Sequence, residues 1–244
     1  MNIELHNGDC LEVMKNIPDK SVDMILCDLP YGCLNKKNPN ASWDNPLPMD
    51  KLWFEYERII KDNGVIILFG QGLFTARVML SNEKLWKYNI IWKKGNRVSG
   101  FLNAKKQPLR NHEDIMIFYK KQPTYNPQMT IGQPLHGKGS GVHNFKNSNY
   151  GVFKEMDDTR KGSTLKYPKS VLIFDKPHPS KHPTEKPVDL CEWLIKTYSN
   201  EGDTVLDNCM GSGTTGVACK NTNRNFIGIE LNEEYFNLAK ERIK

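Results

Sequence analysis

The 244-residue chain contains no apolar run of the roughly 20 residues needed to cross a bilayer. No signal-like segment opens it, since Met1-Asn2-Ile3-Glu4-Leu5 reads as a first strand. A soluble cytoplasmic protein without membrane attachment is therefore expected. None of the six cysteines (Cys10, Cys27, Cys33, Cys191, Cys209 and Cys219) forms a C-x-x-C pair, so neither a structural zinc site nor any other metal is expected. Most lie in apolar surroundings and read as small core residues of a reducing compartment. No internal repeat is present. The length suits one domain carrying an elaboration.

The charge is unevenly spread. Residues 84–186 hold 20 of the 34 Lys and Arg but only 7 of the 28 Asp and Glu. This stretch is thus +13, and the rest of the chain is −7. A basic middle in an acidic frame points to contact with a polyanion, although a lysine-rich solvated surface gives the same count.

Apolar spacing divides the frame into alternating elements. Strands are expected at Ile3–His6, Val22–Cys27, Val65–Phe69, Tyr88–Lys93, Ile115–Tyr119, Val171–Phe174, Thr204–Leu206 and Phe226–Ile229. Helices are expected at Cys10–Ile17, ended by Pro18, and at Leu52–Ile60, closed by the Asp62-Asn63-Gly64 turn signal. Another opens after Gly70-Gln71-Gly72. Three more follow: Pro187–Tyr198, Thr214–Lys220, and Glu233–Ile243 behind a cap at Asn232. Strands separated by helices imply a parallel sheet covered on both faces. From Gln122 to Tyr167 the chain turns Gly-, Asn-, Lys- and Pro-rich, and a long, partly mobile, substrate-facing insertion is expected there.

Two strand ends carry chemistry. Asp28-Leu29-Pro30-Tyr31 follows the apolar run Val22–Cys27. It sets an acid and an aromatic ring where open α/β sheets bind ligands: an acceptor for an amine and a flat face for a base. The second is Asp207-Asn208-Cys209-Met210-Gly211-Ser212-Gly213-Thr214, a strand end, glycine turn and helix start. Glu230 ends the next strand, where a carboxylate accepts from ribose hydroxyls. Gly211-x-Gly213-x-x-Gly216 alone is a weak match to a dinucleotide pattern. Asp207, four residues ahead of the glycines and near a place for a cationic group, favours S-adenosylmethionine over a dinucleotide.

These residues resemble a family. Asp28-Leu29-Pro30-Tyr31 is similar to the D-P-P-Y motif of amino-group DNA methyltransferases, with Leu29 in place of the first proline. Asp207–Thr214 resembles their D-P-F-x-G-S-G-T motif, with Asn208-Cys209-Met210 replacing the usual central residues. His182-Pro183-Thr184-Glu185-Lys186-Pro187 resembles H-P-T-x-K-P, and Asn7-Gly8-Asp9-Cys10 resembles the opening G-D-C segment. The catalytic motif precedes the cofactor motif, as in the permuted β class. The resemblance covers about residues 1–120 and 168–244.

It implies an α/β, Rossmann-like, S-adenosylmethionine-dependent methyltransferase fold, circularly permuted, with a basic insertion. The expected core is residues 1–94 and 168–244, and the target-recognition insertion 95–167. The implied activity is methylation of the exocyclic amine of adenine in duplex DNA by a bacterial or phage-encoded enzyme, with the base flipped out. Asp28 and the Leu29 carbonyl would hold the amine, Pro30 would fix the turn and Tyr31 would stack on the base. The cofactor would be bound by Asp9, Asp28, Thr184, Lys186, Asp207, Gly211, Ser212, Gly213, Thr214 and Glu230. Lys93, Lys94, Arg97, Lys105, Lys106 and Arg110 are candidate phosphate contacts, with Phe101 and Tyr119 nearby. Arg97, Asn103, Gln107 and Asn111 are candidates for base edges. A homodimer is possible in this class.

Plainer roles stand beside these. Asp9 serves either as a helix cap or as pocket wall. Trp43 either closes the base pocket or anchors its loop, and His182 is a turn residue. Lys186 either meets a cofactor carboxylate or is a surface lysine before a helix. No Pro-Cys dipeptide occurs, which removes attack on a cytosine ring carbon. The cytosine amine stays as an alternative, although relatives acting there usually carry Ser at the position of Asp28. A nicotinamide-dependent oxidoreductase and a catalytically silent DNA-binding module are further alternatives.

Overall fold

The computed structural model describes residues 1–33, 44–95, 97–134, 146–147, 151–152, 162–179 and 185–244. Two compact units emerge, one of Met1–Asn126 with Ser170–Lys244 and one of Pro127–Lys169. The first unit begins β1 (Ile3–Asn7), α1 (Cys10–Met14), β2 (Val22–Cys27), α2 (Met49–Ile59), β3 (Ile60–Gly70), α3 (Leu73–Ser81), β4 (Trp86–Lys94) and β5 (His112–Phe118). The second holds two short antiparallel pairs: β6 (Thr130–Ile131) with β9 (Leu165–Lys166), and β7 (Lys146–Asn147) with β8 (Gly151–Val152). The first unit then resumes with β10 (Val171–Phe174), α4 (Val188–Tyr198), β11 (Thr204–Asp207), α5 (Thr214–Asn221), β12 (Asn225–Glu230) and α6 (Glu233–Ile243).

The first unit is built on one eight-stranded sheet in the order β1-β12-β11-β2-β3-β5-β4-β10. Successive side chains of a strand point to opposite faces. Met24 and Leu26 of β2, with Val65, Ile67 and Phe69 of β3, therefore pack with Leu190, Leu194, Ala218, Cys219, Ala239 and Ile243 from α4, α5 and α6. Ile25 and Cys27, with Ile66 and Leu68, face the other way onto Met14, Leu52, Tyr56, Ile59 and Val78 from α1, α2 and α3. Both faces are dry, which is why Met24–Cys27 and Val65–Phe69 read as unbroken apolar runs. All six cysteines are free thiols, four of them buried in this packing.

The structure corrects the sequence reading in four places. The sheet is not wholly parallel, because β5 runs antiparallel to both β3 and β4. The 95–111 connection holds, among its described residues, only a short 3-10 helix at Phe101–Asn103 and a Ser99–Arg110 bridge. It lacks the helix that a parallel crossover uses, so the chain doubles back. Ile115–Phe118 of β5 are fully buried in this sheet. The compact division consequently falls at 126/127 and 169/170, and residues 95–126 go with the core rather than with an insertion.

The third difference is at Asp62-Asn63-Gly64. These residues do not separate a helix from a strand; β3 starts at Ile60, directly after α2. Its pairing with β2 jumps from Val22↔Ile60 to Met24↔Val65, so the turn signal is spent on a bulge. Gly64 is required there because a Cβ would sit 2.9 Å from the Asp23 carbonyl oxygen. Fourth, α1 ends at Met14 rather than Ile17. Its periodicity continues because Asn16 N and Ile17 N donate to the carbonyls of Val13 and Met14, three residues back.

Gly213 caps α5 with a φ of +80°, and a Cβ there would lie 2.9 Å from the Ala239 Cβ and 3.0 Å from its Cα, where α6 crosses. Gly211 has a φ of +50°, but a Cβ there would meet nothing within 4 Å. Left-handed backbone costs a side chain about 1–2 kcal/mol and overpacking about 1–3 kcal/mol more. Gly213→Ala is expected to lose about 2–5 kcal/mol in denaturant unfolding and Gly211→Ala only about 1–2 kcal/mol. Equal losses would refute this assignment of the two glycines.

Candidate functional site

The sheet reverses its direction of growth between β2 and β11. From β2 the chain passes through α2 to β3 on one side; from β11 it passes through α5 to β12 on the other. The loops leaving the two strands diverge, and a crevice opens between their carboxyl ends. A cavity of about 860 Å³ lies here. Its wall includes Asp28, Leu29, Pro30 and Tyr31 after β2, Asp207 at the end of β11, Gly211 in the turn that follows, and Glu230 at the end of β12. The two motifs, almost 180 residues apart in the chain, thus share one space.

Asp28 is held from both sides. The Tyr31 hydroxyl donates to Oδ1 at 2.8 Å, and the Lys186 ammonium donates to Oδ2. Phe74 of α3 stacks on the Tyr31 ring, with centroids 4.5 Å apart and planes 25° from parallel, which fixes the ring. Leu29 is a core residue: its side chain is buried in the layer under α1 and α2. Lys186 rests on the Phe69 ring at 5.1 Å from its centroid and lies 3.5 Å from Glu113 Oε2. Lys94 Nζ is 2.6 Å from Glu113 Oε1. Two carboxylates and two ammoniums therefore alternate across the floor of the cavity.

Burial raises the Asp28 carboxyl above its ordinary value and the Glu113 charge adds to the rise, against the pull of Lys186 and the Tyr31 hydroxyl. Burial disfavours a charged Lys186, but Asp28 and Glu113 outweigh it and push the ammonium up to about 12. Burial likewise opposes a charged Glu113, yet Lys186 and Lys94 hold its carboxyl below the usual range. By geometry the four groups form a chain of ion-pair contacts, Asp28–Lys186–Glu113–Lys94.

The glycine turn presents a second acidic wall. Asp207 Oδ1 accepts from Cys209 N at 3.1 Å and Oδ2 from the Thr215 hydroxyl at 2.7 Å. Burial nevertheless raises its carboxyl to about 6. Glu230 accepts from Gly211 N at 2.8 Å and Asn232 N at 2.9 Å, and burial raises it too. Asn7 Nδ2 and Gly8 N donate to the Glu230 carbonyl, so the Asn7-Gly8-Asp9 segment pins the end of β12. Arg242 of α6 donates to the Ser212 carbonyl and hydroxyl, both at 2.7 Å, and pairs with Glu185 at 2.8 Å.

Asp9 fills both of its readings, accepting from Leu11 N at 2.8 Å as the cap of α1 while lining the cavity. Ser212 and Thr214 line it as well. Gly213 is taken up by packing against α6. Lys186 lines the cavity and turns its ammonium to Asp28 and Glu113. Thr184, His182 and Trp43 lie outside the described residues.

One candidate phosphate contact is corrected. Lys94 is 6 % exposed and paired with Glu113, so it does not face a backbone phosphate. Alternation along β4 sends Ile90, Trp92 and Lys94 inward and Lys93 outward. Lys93, Arg97, Lys105, Lys106 and Arg110 are exposed, as are Asn103, Gln107 and Asn111. Phe101 and Leu102 are 78 % and 96 % exposed between them. Sequence reading missed Glu113, Phe74, Glu185 and Arg242. Only Glu113 left a trace, as an acid in a basic stretch at the head of an apolar strand.

Known proteins match this arrangement. The DNA methylase family profile matches residues 22–241. The type II methyltransferase M.HpaI of Haemophilus parainfluenzae is 30 % identical over 251 residues, spanning 100 % of this chain and 74 % of that protein. The DNA adenine methyltransferase YhdJ of Escherichia coli (strain K12) is 29 % identical over 245 residues, 97 % of this chain and 81 % of the relative. The solved M1.HpyAVI–SAM complex superposes with a TM-score of 0.66 at 27 % identity, covering 99 % of each chain. The cytosine-N4-specific PvuII DNA methyltransferase shares the fold, with a TM-score of 0.70 at 17 % identity over 100 % of this chain and 87 % of that one. With its acidic strand end β2 ahead of the glycine-turn strand β11, this chain belongs to the N6/N4 DNA methylase family.

Proposed function

We propose that the protein transfers a methyl group from S-adenosylmethionine to the exocyclic amine of adenine in duplex DNA. The reading rests on one observation: Asp28 and the Asp207–Gly211 turn line the same cavity, at the reversal point of the sheet.

The cavity suits that cofactor. Asp207 is buried and Glu230 half-buried, and both carboxyls are raised above their ordinary values, so each gains from a ligand that brings positive charge or hydroxyl donors. The space over Gly211 is open, which lets a ligand approach the backbone. When bound, S-adenosylmethionine supplies an electrophilic methyl on a sulfonium. Glu230 would accept from the ribose hydroxyls and Asp207 would offset the cationic amino-acid portion. Asp9, Asp28, Ser212 and Thr214 would complete the walls, with Lys186 entering from the segment before α4.

The chain's own part is positioning. An adenine amine is a poor nucleophile because its lone pair is delocalised into the ring. Donation to Asp28 and to the Leu29 carbonyl would turn that nitrogen toward tetrahedral geometry and free the lone pair. Asp28 need only accept a hydrogen bond, because the proton can leave after transfer. Tyr31, one face of which is taken by Phe74, would offer its other face to the base. Reaching this cavity requires the base to leave the duplex, at a cost of about a few kcal/mol. The exposed cations Lys93, Arg97, Lys105, Lys106 and Arg110 would hold the phosphates on either side. Asp at position 28, rather than Ser, favours adenine over cytosine.

Tritium transfer from labelled cofactor to adenine in unmethylated genomic DNA tests the assignment. Asp28→Ala should lower the rate about 10²–10⁴-fold while the fold is kept; product in cytosine, or undiminished transfer by the variant, would overturn it. Cofactor affinity should also depend on pH. A carboxyl raised to about 6 takes up a proton as pH falls through that value and then no longer offsets a cation. Calorimetry from pH 7.5 down to 5 should show affinity falling about tenfold, and Asp207→Asn should be weak throughout and lack this component. In DNA binding, Lys93→Ala or Lys105→Ala should reduce the salt slope by about one. Lys94→Ala should leave the slope in place and lower thermal stability instead.

A further inference from the structure

We propose that Glu113 is a positioning residue that draws Lys186 away from Asp28 when the target base enters. The inference rests on the methyl-transfer reading of the cavity and adds a residue and a motion to it. Asp28 meets the Tyr31 hydroxyl at Oδ1 and the Lys186 ammonium at Oδ2. Lys186 thus stands against the oxygen that an entering amine would use. Its charge also opposes the reaction, because the attacking nitrogen becomes positive as it takes the methyl. In a buried site such repulsion is only weakly screened.

The alternative seat for the ammonium is already built. Glu113 Oε2 lies 3.5 Å from Lys186 Nζ. It is the one buried side-chain oxygen or nitrogen among the described residues that has no hydrogen-bond partner. Its sister oxygen is engaged by Lys94 at 2.6 Å, which anchors the carboxylate. The Lys186 side chain lies over the Phe69 ring, so its ammonium can swing between the two carboxylates over a smooth apolar support. In the free protein the ammonium satisfies Asp28. With a base in place, the amine takes that oxygen and the ammonium completes its bond to Glu113. Asp28 then faces the amine as an unneutralised carboxylate.

The surrounding charges fit this division. Asp28 faces Tyr31 on its own loop, Lys186 before α4, Glu113 on β5, and Asp207 with Cys27 across β11 and β2. Glu113 faces Lys186, Lys94 on β4, and Lys176 after β10. Removing the Glu113 charge takes one of its carboxylate neighbours from Lys186 and also removes a negative neighbour of Asp28. Both changes stabilise the Asp28 carboxylate in its paired, unreactive arrangement.

The test is the pH profile of tritium transfer to unmethylated genomic DNA by wild type, Glu113→Gln, and the double variant Lys94→Met/Glu113→Gln. The double variant removes the ion pair as a unit, so no lone buried charge threatens folding. Both variants should show kcat lowered about 10–100-fold, KM for the cofactor within about threefold, and the acid limb of kcat moved about one pH unit lower. A limb that stays in place, with kcat unchanged or falling only in step with thermal stability, would make Glu113 a structural residue and overturn the proposal. If wild type transfers no methyl at all, the reading of the cavity fails; if wild type is active and the variants behave like it, only the role of Glu113 fails.

Discussion

The pairing of β2 with β11 is the contact on which the cavity depends. Val205 lies beside Met24 and Leu206 beside Ile25, joining segments that the chain order keeps far apart. That register sets Asp207 and Asp28 on neighbouring strands at the same end of the sheet. Asp23 guards it from the other end, accepting from Thr204 N at 3.0 Å and pairing with Lys61 at 2.6 Å, so one side chain ties β2 to both neighbours. A slip by one residue would reverse the faces of β2, burying Asp28 where an apolar side chain belongs. The dry packing on both faces makes such a slip costly, and the position of the Asp28 carboxylate follows from the core.

The cavity concentrates negative charge, and its parts resolve that charge differently. On the β11 side, Asp207 and Glu230 are held by backbone amides, the Thr215 hydroxyl and the Cys27 thiol, and burial leaves both carboxyls raised and receptive to a ligand with positive charge. On the β2 side, Asp28 and Glu113 are matched by Lys186 and Lys94, members of the chain itself. This asymmetry sorts the ligands. The half without built-in cations suits a sulfonium cofactor, and the half that carries them suits a neutral amine that must compete for one carboxylate oxygen.

Much of this was legible in the sequence because strand ends in a doubly wound sheet are legible. Apolar stretches followed by Asp28 and by Asp207 fixed which side chains would stand at the ligand edge, and the glycines marked a turn. The remainder depended on pairing that no local pattern encodes. Lys93 and Lys94 look alike in composition, and only the parity of β4 decides that one meets solvent and the other Glu113. Glu113 itself gains its meaning from lying on β5 opposite Trp92, a partnership set by an antiparallel reversal that the alternating βα pattern did not suggest. Phe74 was hidden for the same reason: its contact with Tyr31 joins α3 to the loop after β2. Asp62-Asn63-Gly64 carried a true signal for backbone irregularity, but the sheet used it as a bulge inside β3.

Leu29 shows how such a site tolerates change. A proline would stiffen the turn after Asp28 by fixing φ. Leu29 replaces that local restraint with a tertiary one, since its side chain is anchored in the apolar layer beneath α1 and α2. The turn keeps Pro30 at its next position and the Tyr31–Asp28 hydrogen bond across it. If the carbonyl at position 29 is what the amine meets, the chemistry places no demand on the side chain beyond holding that carbonyl still. Burial supplies that hold here, so the motif lacks its first proline while Asp28 keeps its place at the strand end.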